Sequence, residues 1–148
     1  MDRDHHSRVF AGNLGDDGYN PFTGLLAGRD GALYGTTSLG GVSGDNGTVF
    51  EVKPPAIAGG AWRYKILYSF SGMEVEPAPA GALPEGALIA DAQGALYGPT
   101  LGGGASSLGT VFALTPPIGS GPWTESVLHS FAGGADDGDY PAGRSGDG

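Results

Sequence analysis

The chain contains 148 residues, with a formal net charge of −9 at pH 7, only seven Lys and Arg residues and no cysteine. Because nucleic-acid affinity depends on clustered cations, this charge excludes a nucleic-acid partner, and the lack of thiols excludes disulfides and thiolate metal sites. The polar residues 1–6 and the absence of any apolar run of about 18 residues predict that this chain carries neither a signal peptide nor a membrane anchor.

Two short motifs occur twice along this glycine-rich chain. The pentapeptide GALYG occupies residues 31–35 and 94–98, which are 63 residues apart. The tetrapeptide GTVF occupies residues 47–50 and 109–112, which are 62 residues apart. Recurrence at a nearly constant spacing indicates tandem structural units that pack against their neighbours.

The first predicted element of each unit is a β-hairpin. Residues 24–27 (GLLA) and 32–37 (ALYGTT) are short apolar runs that flank the turn cluster GRDG. Two such runs around a glycine-containing turn are typical of paired antiparallel strands. The second unit repeats the pattern with residues 87–90, 91–94 and 95–98.

A third strand follows a glycine-rich loop in each unit, at Gly47–Val52 and Gly109–Thr115. Its consecutive apolar residues, Val49 and Phe50 in the first unit and Val111 and Phe112 in the second, predict a strand covered on both faces. A proline pair then ends the strand, because proline cannot donate a ladder hydrogen bond.

The fourth strand, predicted at residues 62–70 (WRYKILYSF), is amphipathic. Its even positions are apolar or aromatic, and its odd positions are polar except for Leu67, as in a half-exposed edge strand. Four antiparallel strands with a buried inner part are typical of a β-propeller blade. The predicted fold is therefore all-β, built of four-stranded antiparallel blade-like repeats.

The combined pattern of proline, GALYG, GTVF, tryptophan and Ser-Phe resembles the Gloeo/Verruco tandem repeat, also called GloVer. Its pieces are residues 21–37, 40–41, 47–55, 62 and 69–70, then 84–100, 102–103, 109–117, 123 and 130–131. The resemblance implies a bacterial protein, exported or displayed at the cell surface, with many such repeats and no established enzymatic activity. Residues 73–83 depart from it by replacing a short glycine-rich connector with a longer stretch.

The repeats predict five segments. They are a partial repeat with a flexible N-terminus (residues 1–20), unit 1 (21–70), a linker (71–83), unit 2 (84–131) and the start of a truncated repeat (132–148). Closed propellers have about four to eight blades, whereas these segments make roughly two and a half. The chain is therefore expected to be a fragment of a longer array, to self-associate into a ring, or to form a short open stack.

Candidate ligand-binding residues are those that the second unit does not repeat. Tyr64 and Tyr68 of the first unit are replaced by Glu125 and His129 of the second, so these four positions are free of a shared structural role. Glu125 and His129 lie four residues apart, about 13 Å along a strand, which is too far for a direct acid–base pair. No catalytic residue is predicted.

Two further groups have competing interpretations. Asp136, Asp137 and Asp139 form an acidic cluster that suits a Ca²⁺ site, although acidic glycine turns are usually only turns. The recurring aromatic residues suit either sugar stacking or packing between blades, and their equivalent places favour packing. These residues are Trp62, Trp123, Tyr34 and Tyr97. No other cofactor is predicted.

The leading functional hypothesis is a non-enzymatic repeat module, an extracellular or cell-surface scaffold or binding platform for protein or glycan. The alternative is a fragment of a propeller enzyme, a lyase or hydrolase with its active site at the central channel. The inner strands of the two units differ only mildly, as at Thr36 and Pro99 or Glu51 and Ala113, which favours the scaffold. Self-association through exposed sheet faces or edges is a further expectation.

Overall fold

The computed structural model describes residues 18–21, 23–41, 45–71, 81–134 and 137–138. Their regular structure is all β, apart from one short 3-10 turn at Arg29–Gly31. The strands form two large antiparallel sheets and one pair of two-residue strands. The expectation of an all-β, antiparallel architecture is therefore confirmed for this part of the chain.

The first sheet, unit 1, is an antiparallel meander with one additional short strand beside its first long strand. Its strands are β1 (Gly18–Pro21), β2 (Leu26–Ala27), β3 (Leu33–Gly40), β4 (Thr48–Lys53) and β5 (Arg63–Ser69). Strands β1 and β2 pair with opposite ends of β3, and β4 and β5 follow on its other side. The predicted hairpin, third strand and outer edge strand are confirmed here.

Unit 2 repeats this topology. Its strands are β6 (Gly81–Ala82), β7 (Ile89–Ala90), β8 (Leu96–Thr100), β9 (Gly102–Gly103), β10 (Thr110–Thr115) and β11 (Thr124–Ser130). The main sheet has the order β7-β8-β10-β11, and β6 pairs with β9 just as β1 pairs with the end of β3. Strand β6 lies within 71–83, the range expected to be a linker; the division into units stays a prediction.

The GALYG and GTVF motifs recur because the glycine of one makes room for the phenylalanine of the other. Gly35 lies opposite Phe50 in the β3–β4 ladder, and Gly98 lies opposite Phe112 in the β8–β10 ladder. A Cβ atom on Gly35 would come within 2.7 Å of the Phe50 ring, and one on Gly98 within 3.2 Å of the Phe112 ring. Any larger residue would displace a buried phenylalanine ring in its unit.

In each unit, the threonine two residues after GALYG and the threonine of GTVF form a buried hydrogen-bonded pair. The Oγ1 atoms of Thr37 and Thr48 are 2.7 Å apart, as are those of Thr100 and Thr110. All four side chains are completely buried. A buried hydroxyl without a hydrogen-bond partner destabilises the folded chain. Each threonine of a pair therefore provides the partner that the other hydroxyl needs.

A β-bulge in each edge strand explains why Leu67 breaks the predicted alternation. Val49 lies opposite Tyr68 and Phe50 lies opposite Ile66, so Leu67 is the extra residue between them. The β10–β11 ladder has the same irregularity, with Leu128 as the extra residue. A bulge changes the face on which the following side chains lie. The even positions of β5 are therefore divided between two faces.

The hydrophobic core lies between the two units. It comprises the buried side chains of Val49, Leu67, Phe70, Leu88, Leu96, Phe112 and Leu114. Phe70 of unit 1 meets Phe112 of unit 2 edge to face, with ring centroids 5.1 Å apart. The sheets thus pack face to face. Double-sided burial of the third strand holds for Val49 and Phe50, but Val111 in unit 2 is partly exposed because it lies on the face turned away from unit 1.

Candidate functional site

The junction between the two units brings together two of the four candidate ligand-binding residues. The Tyr68 hydroxyl donates a hydrogen bond to Oε1 of Glu125, with an O–O distance of 2.8 Å. The backbone N–H of Gly81 donates to the other carboxylate oxygen at 3.4 Å. Strand β5 supplies the tyrosine and strand β11 the carboxylate, so face-to-face packing of the sheets creates this site.

The electrostatics of the site follow from its partial burial. Desolvation raises the pKa of Glu125, and the hydrogen bonds from Tyr68 and Gly81 oppose that shift because they favour the ionised form. Burial, followed by the negative charge of Glu125, raises the pKa of Tyr68. The phenol is therefore neutral at physiological pH and acts as a donor. Each carboxylate oxygen of Glu125 accepts one hydrogen bond from a protein donor, so the side chain is held in place at the junction.

His129, the third candidate, makes a separate contact with Asp137. Its Nε2 atom lies 3.1 Å and 3.2 Å from the two carboxylate oxygens, and its ring meets Phe131 edge to face at 4.7 Å. Asp137 also accepts hydrogen bonds from the backbone N–H groups of Ala132 and Gly138, both at 3.0 Å. The Ala132 bond, followed by that of His129, lowers the pKa of Asp137.

Tyr64, the fourth candidate, lies on the opposite face of unit 1 from Tyr68. Its ring centroid is 5.7 Å from that of Phe50, whereas Tyr68 packs edge to face on Phe70 at 5.1 Å. Simple alternation predicts both tyrosines on one face, and the bulge at Leu67 separates them. The structure thus joins Tyr68 with Glu125 and leaves Tyr64 and His129 at other places.

The recurring aromatic residues divide between packing and exposure. Tyr34 and Trp123 pack against the core at the junction. Trp62, which occupies the place equivalent to Trp123, is 47% exposed. The hydroxyl of Tyr97 donates to Oδ2 of Asp91 at 2.7 Å, within the turn of its own hairpin. The predicted packing therefore holds for Trp123 and not for Trp62, because Trp62 lies on a face that the other unit does not cover.

Sequence reasoning missed the pairing of Tyr34 with Glu51, which lie opposite each other in the β3–β4 ladder. Glu51 is almost fully buried, and Lys53 lies 3.8 Å from its carboxylate. Burial, followed by the charge of Glu51, raises the pKa of Tyr34 to about 12. The signal available in the sequence was a charged residue inside the apolar third strand, at the position where unit 2 has Ala113.

The acidic cluster predicted as a calcium site is described only at Asp137, whose carboxylate contacts His129; Asp136 and Asp139 lie outside the described residues. Within the ranges that the structure describes, no three His, Asp or Glu side chains gather in a group suited to a metal ion. No helix in those same ranges has the length and apolar character needed to span a membrane.

Comparisons with known proteins bear on the whole chain. Neither a search of curated proteins nor a search of solved structures returned a match. The model of one family, described as the Gloeobacter/Verrucomicrobia repeat, matches residues 2–147. This match includes both GALYG and both GTVF segments, which contribute residues to the paired strands of the sheets described above. The chain therefore belongs to the Gloeobacter/Verrucomicrobia repeat family.

Proposed function

We propose that the chain is a structural repeat module whose four-stranded, blade-like units stack face to face to form a scaffold. The observation that carries this proposal is the structural role of the recurring residues. The glycines, threonines and phenylalanines of the motifs are committed to packing in both units. A repeated catalytic site would instead leave polar motif residues open to a substrate.

The contacts at the junction support a scaffold in which one unit orients the next. Beyond the apolar core, the backbone N–H of Leu83 in the segment entering unit 2 donates to the carbonyl of Asn46 at 2.8 Å. The Tyr68–Glu125 hydrogen bond adds a second polar contact between the two units. Directional bonds at two places define one relative orientation of the sheets, as stacked repeats require.

The scaffold acts outside the cell or at its surface, where it serves as a binding platform for protein or glycan. Membership of a family of bacterial repeats supports this setting, and the acidic composition suits a soluble, displayed surface. The outer hairpin loops present Ile57 and Ile118 at equivalent places, exposed by 77% and 103%. Apolar side chains displayed in this way are suited to contact with a partner.

Two measurements test this proposal. Protease treatment of intact source cells should remove the chain from their surface, whereas a chain that is degraded only after lysis contradicts surface display. The purified chain should unfold in one cooperative transition, because the units share one core. Two independent transitions, unaffected by the junction variant Phe112→Ala, would show that the units do not act as a stack.

A further inference from the structure

The side chains that are buried at the junction have counterparts that are exposed on the outer faces. Leu88, which unit 2 turns toward unit 1, is 6% exposed, whereas its counterpart Leu25 in unit 1 is 56% exposed. Leu67, which unit 1 turns toward unit 2, is 7% exposed, whereas its counterpart Leu128 is 57% exposed. Leucines at equivalent places in the two units thus differ in exposure, because a second unit covers only one leucine of each pair.

Two more positions follow the same rule. Trp123 and Leu26 pack against the junction core. Their counterparts, Trp62 in unit 1 and Ile89 in unit 2, are 47% and 66% exposed. These two residues, with Leu25 and Leu128, are four of the six large apolar side chains that the structure describes as exposed. The other two, Ile57 and Ile118, occupy equivalent loop positions and are exposed in both units.

The exposed residues form two faces on opposite sides of the two-sheet stack. The leading face, Leu25 and Trp62 of unit 1, is the counterpart of the surface that unit 2 presents to unit 1. The trailing face, Ile89 and Leu128 of unit 2, is the counterpart of the surface that unit 1 presents to unit 2. Within the chain, a surface of the trailing type already packs on a surface of the leading type. The junction therefore shows that the two types of face are complementary.

Part of the leading face is already covered, which limits where a partner can pack. Phe50, the counterpart of Phe112, is only 1% exposed, and the Tyr64 ring lies beside it. The apolar surface still open on this face is therefore concentrated at Leu25 and Trp62. On the trailing face, Phe131 is also partly open, whereas its counterpart Phe70 is completely buried.

We propose that the trailing face of one copy of this chain packs on the leading face of a second copy, reproducing the internal junction between molecules. This inference rests on the stacking of units proposed above and extends it from one chain to several. Because the two faces differ and lie on opposite sides, the contact is heterologous, and repetition generates a ring or an open filament. The net charge of −9 makes copies repel one another, so added salt strengthens the association.

The experiment measures the molar mass of the full chain by light scattering and sedimentation, over a range of protein and salt concentrations. Wild type should form species that are multiples of 14.8 kDa. Leu25→Asp and Leu128→Asp each block one face and should remain monomeric alone. An equimolar mixture should form a dimer and nothing larger, because each variant supplies the face that the other lacks. Ile57→Asp and Ile118→Asp, at exposed positions outside both faces, should assemble as wild type does.

A wild-type chain that remains monomeric at all concentrations overturns the proposal and leaves these faces to another occupant, such as a further repeat of the same polypeptide. Assembly that persists in both single variants overturns it as well, because another surface must then be responsible. Circular dichroism of each variant confirms folding, which is expected because Leu25 and Leu128 are already more than half exposed. The variant Leu67→Asp distinguishes stacking within the chain from association between chains. If wild type is monomeric and Leu67→Asp abolishes its cooperative unfolding, the units stack within the chain but the chains do not associate.

Discussion

Tyr68 and Glu125 meet across the junction of two sheets, with 2.8 Å between the phenol oxygen and Oε1 of the carboxylate. They occupy different places in the repeat, since the counterpart of Tyr68 is His129 and that of Glu125 is Tyr64. The contact therefore depends on two positions at which the units differ. It shows that residues not repeated along the chain can still serve the packing of one unit on the next.

Replacing Tyr68 with Phe should destabilise the chain by about 1–3 kcal/mol, because the half-buried carboxylate of Glu125 loses a hydrogen-bond donor. Urea unfolding followed by fluorescence measures this change. Tyr97→Phe is the matched control, since it removes a tyrosine–carboxylate hydrogen bond to Asp91 at an exposed site and should cost less. Equal losses for the two variants would contradict a special role for the junction contact.

The pH dependence of stability should carry a contribution from Glu125. Burial raises its pKa above the ordinary value of 4.5, so the folded chain binds this proton more tightly than the unfolded chain does. This contribution to stability is fully present below the ordinary pKa and is lost as the pH rises through the raised one. The free energies of unfolding of wild type and Glu125→Gln, measured across this range, should therefore diverge, with wild type losing stability relative to the variant as the pH rises.

Asp137 and Asp91 should change the pH dependence of stability in the direction opposite to that of Glu125. Hydrogen bonds lower the pKa of both carboxyls in the folded chain. Their contribution is therefore present above the ordinary carboxyl pKa and is lost as the pH falls through the lowered value. Asp137→Asn should accordingly flatten the acid limb of the stability profile, whereas Glu125→Gln should not. An unchanged acid limb in Asp137→Asn would show that its contacts with His129 and Ala132 do not persist in solution.

Replacing Gly35 with Ala should destabilise unit 1 by about 1–3 kcal/mol, because the new Cβ would lie 2.7 Å from the Phe50 ring and 2.8 Å from Leu25. Gly24→Ala is the matched control, since a Cβ there meets no atom within 4 Å. Thermal unfolding of the two variants should show a lower midpoint only for the first. A normal midpoint for Gly35→Ala would contradict the tight packing of the GALYG glycine on the GTVF phenylalanine.

Truncation of the two bulge leucines should have unequal effects. Leu67→Ala removes a side chain from the junction core and should cost about 2–5 kcal/mol, whereas Leu128→Ala removes one that is 57% exposed and should cost less than about 1 kcal/mol. Phe112→Ala, at the centre of the same core, should cost about 3–5 kcal/mol. Chemical denaturation of the three variants tests this ranking, and a large loss for Leu128→Ala would contradict it.

The sequence was sufficient to predict local structure. Strand positions followed from apolar runs bounded by glycine and proline, and the repeated offset defined two units with the same strand order. The alternation of residues 62–70 predicted a half-exposed strand, and β5 lies at the edge of its sheet. The exception at Leu67 was visible, but its cause was not. A bulge is a property of two paired strands, so it became evident only when β5 lay beside β4.

The sequence predicted which residues could form the candidate site, but not which of them lie close together. The difference between the units singled out Tyr64, Tyr68, Glu125 and His129, yet only Tyr68 and Glu125 meet. Which side chains meet depends on how the sheets stack and on the bulge that turns Tyr68 away from Tyr64. Both depend on contacts between residues far apart in the chain.

Repetition, composition and strand pattern are local properties, and they alone were enough to specify two equivalent antiparallel units and the family to which they belong. Equivalent sequence did not mean equivalent environment. Tertiary packing buried Leu67 and Leu88 and left Leu128 and Leu25 exposed, because a side chain loses contact with water only where another sheet covers it. The junction, its hydrogen-bonded Tyr68–Glu125 pair and the two open faces all arise from that difference.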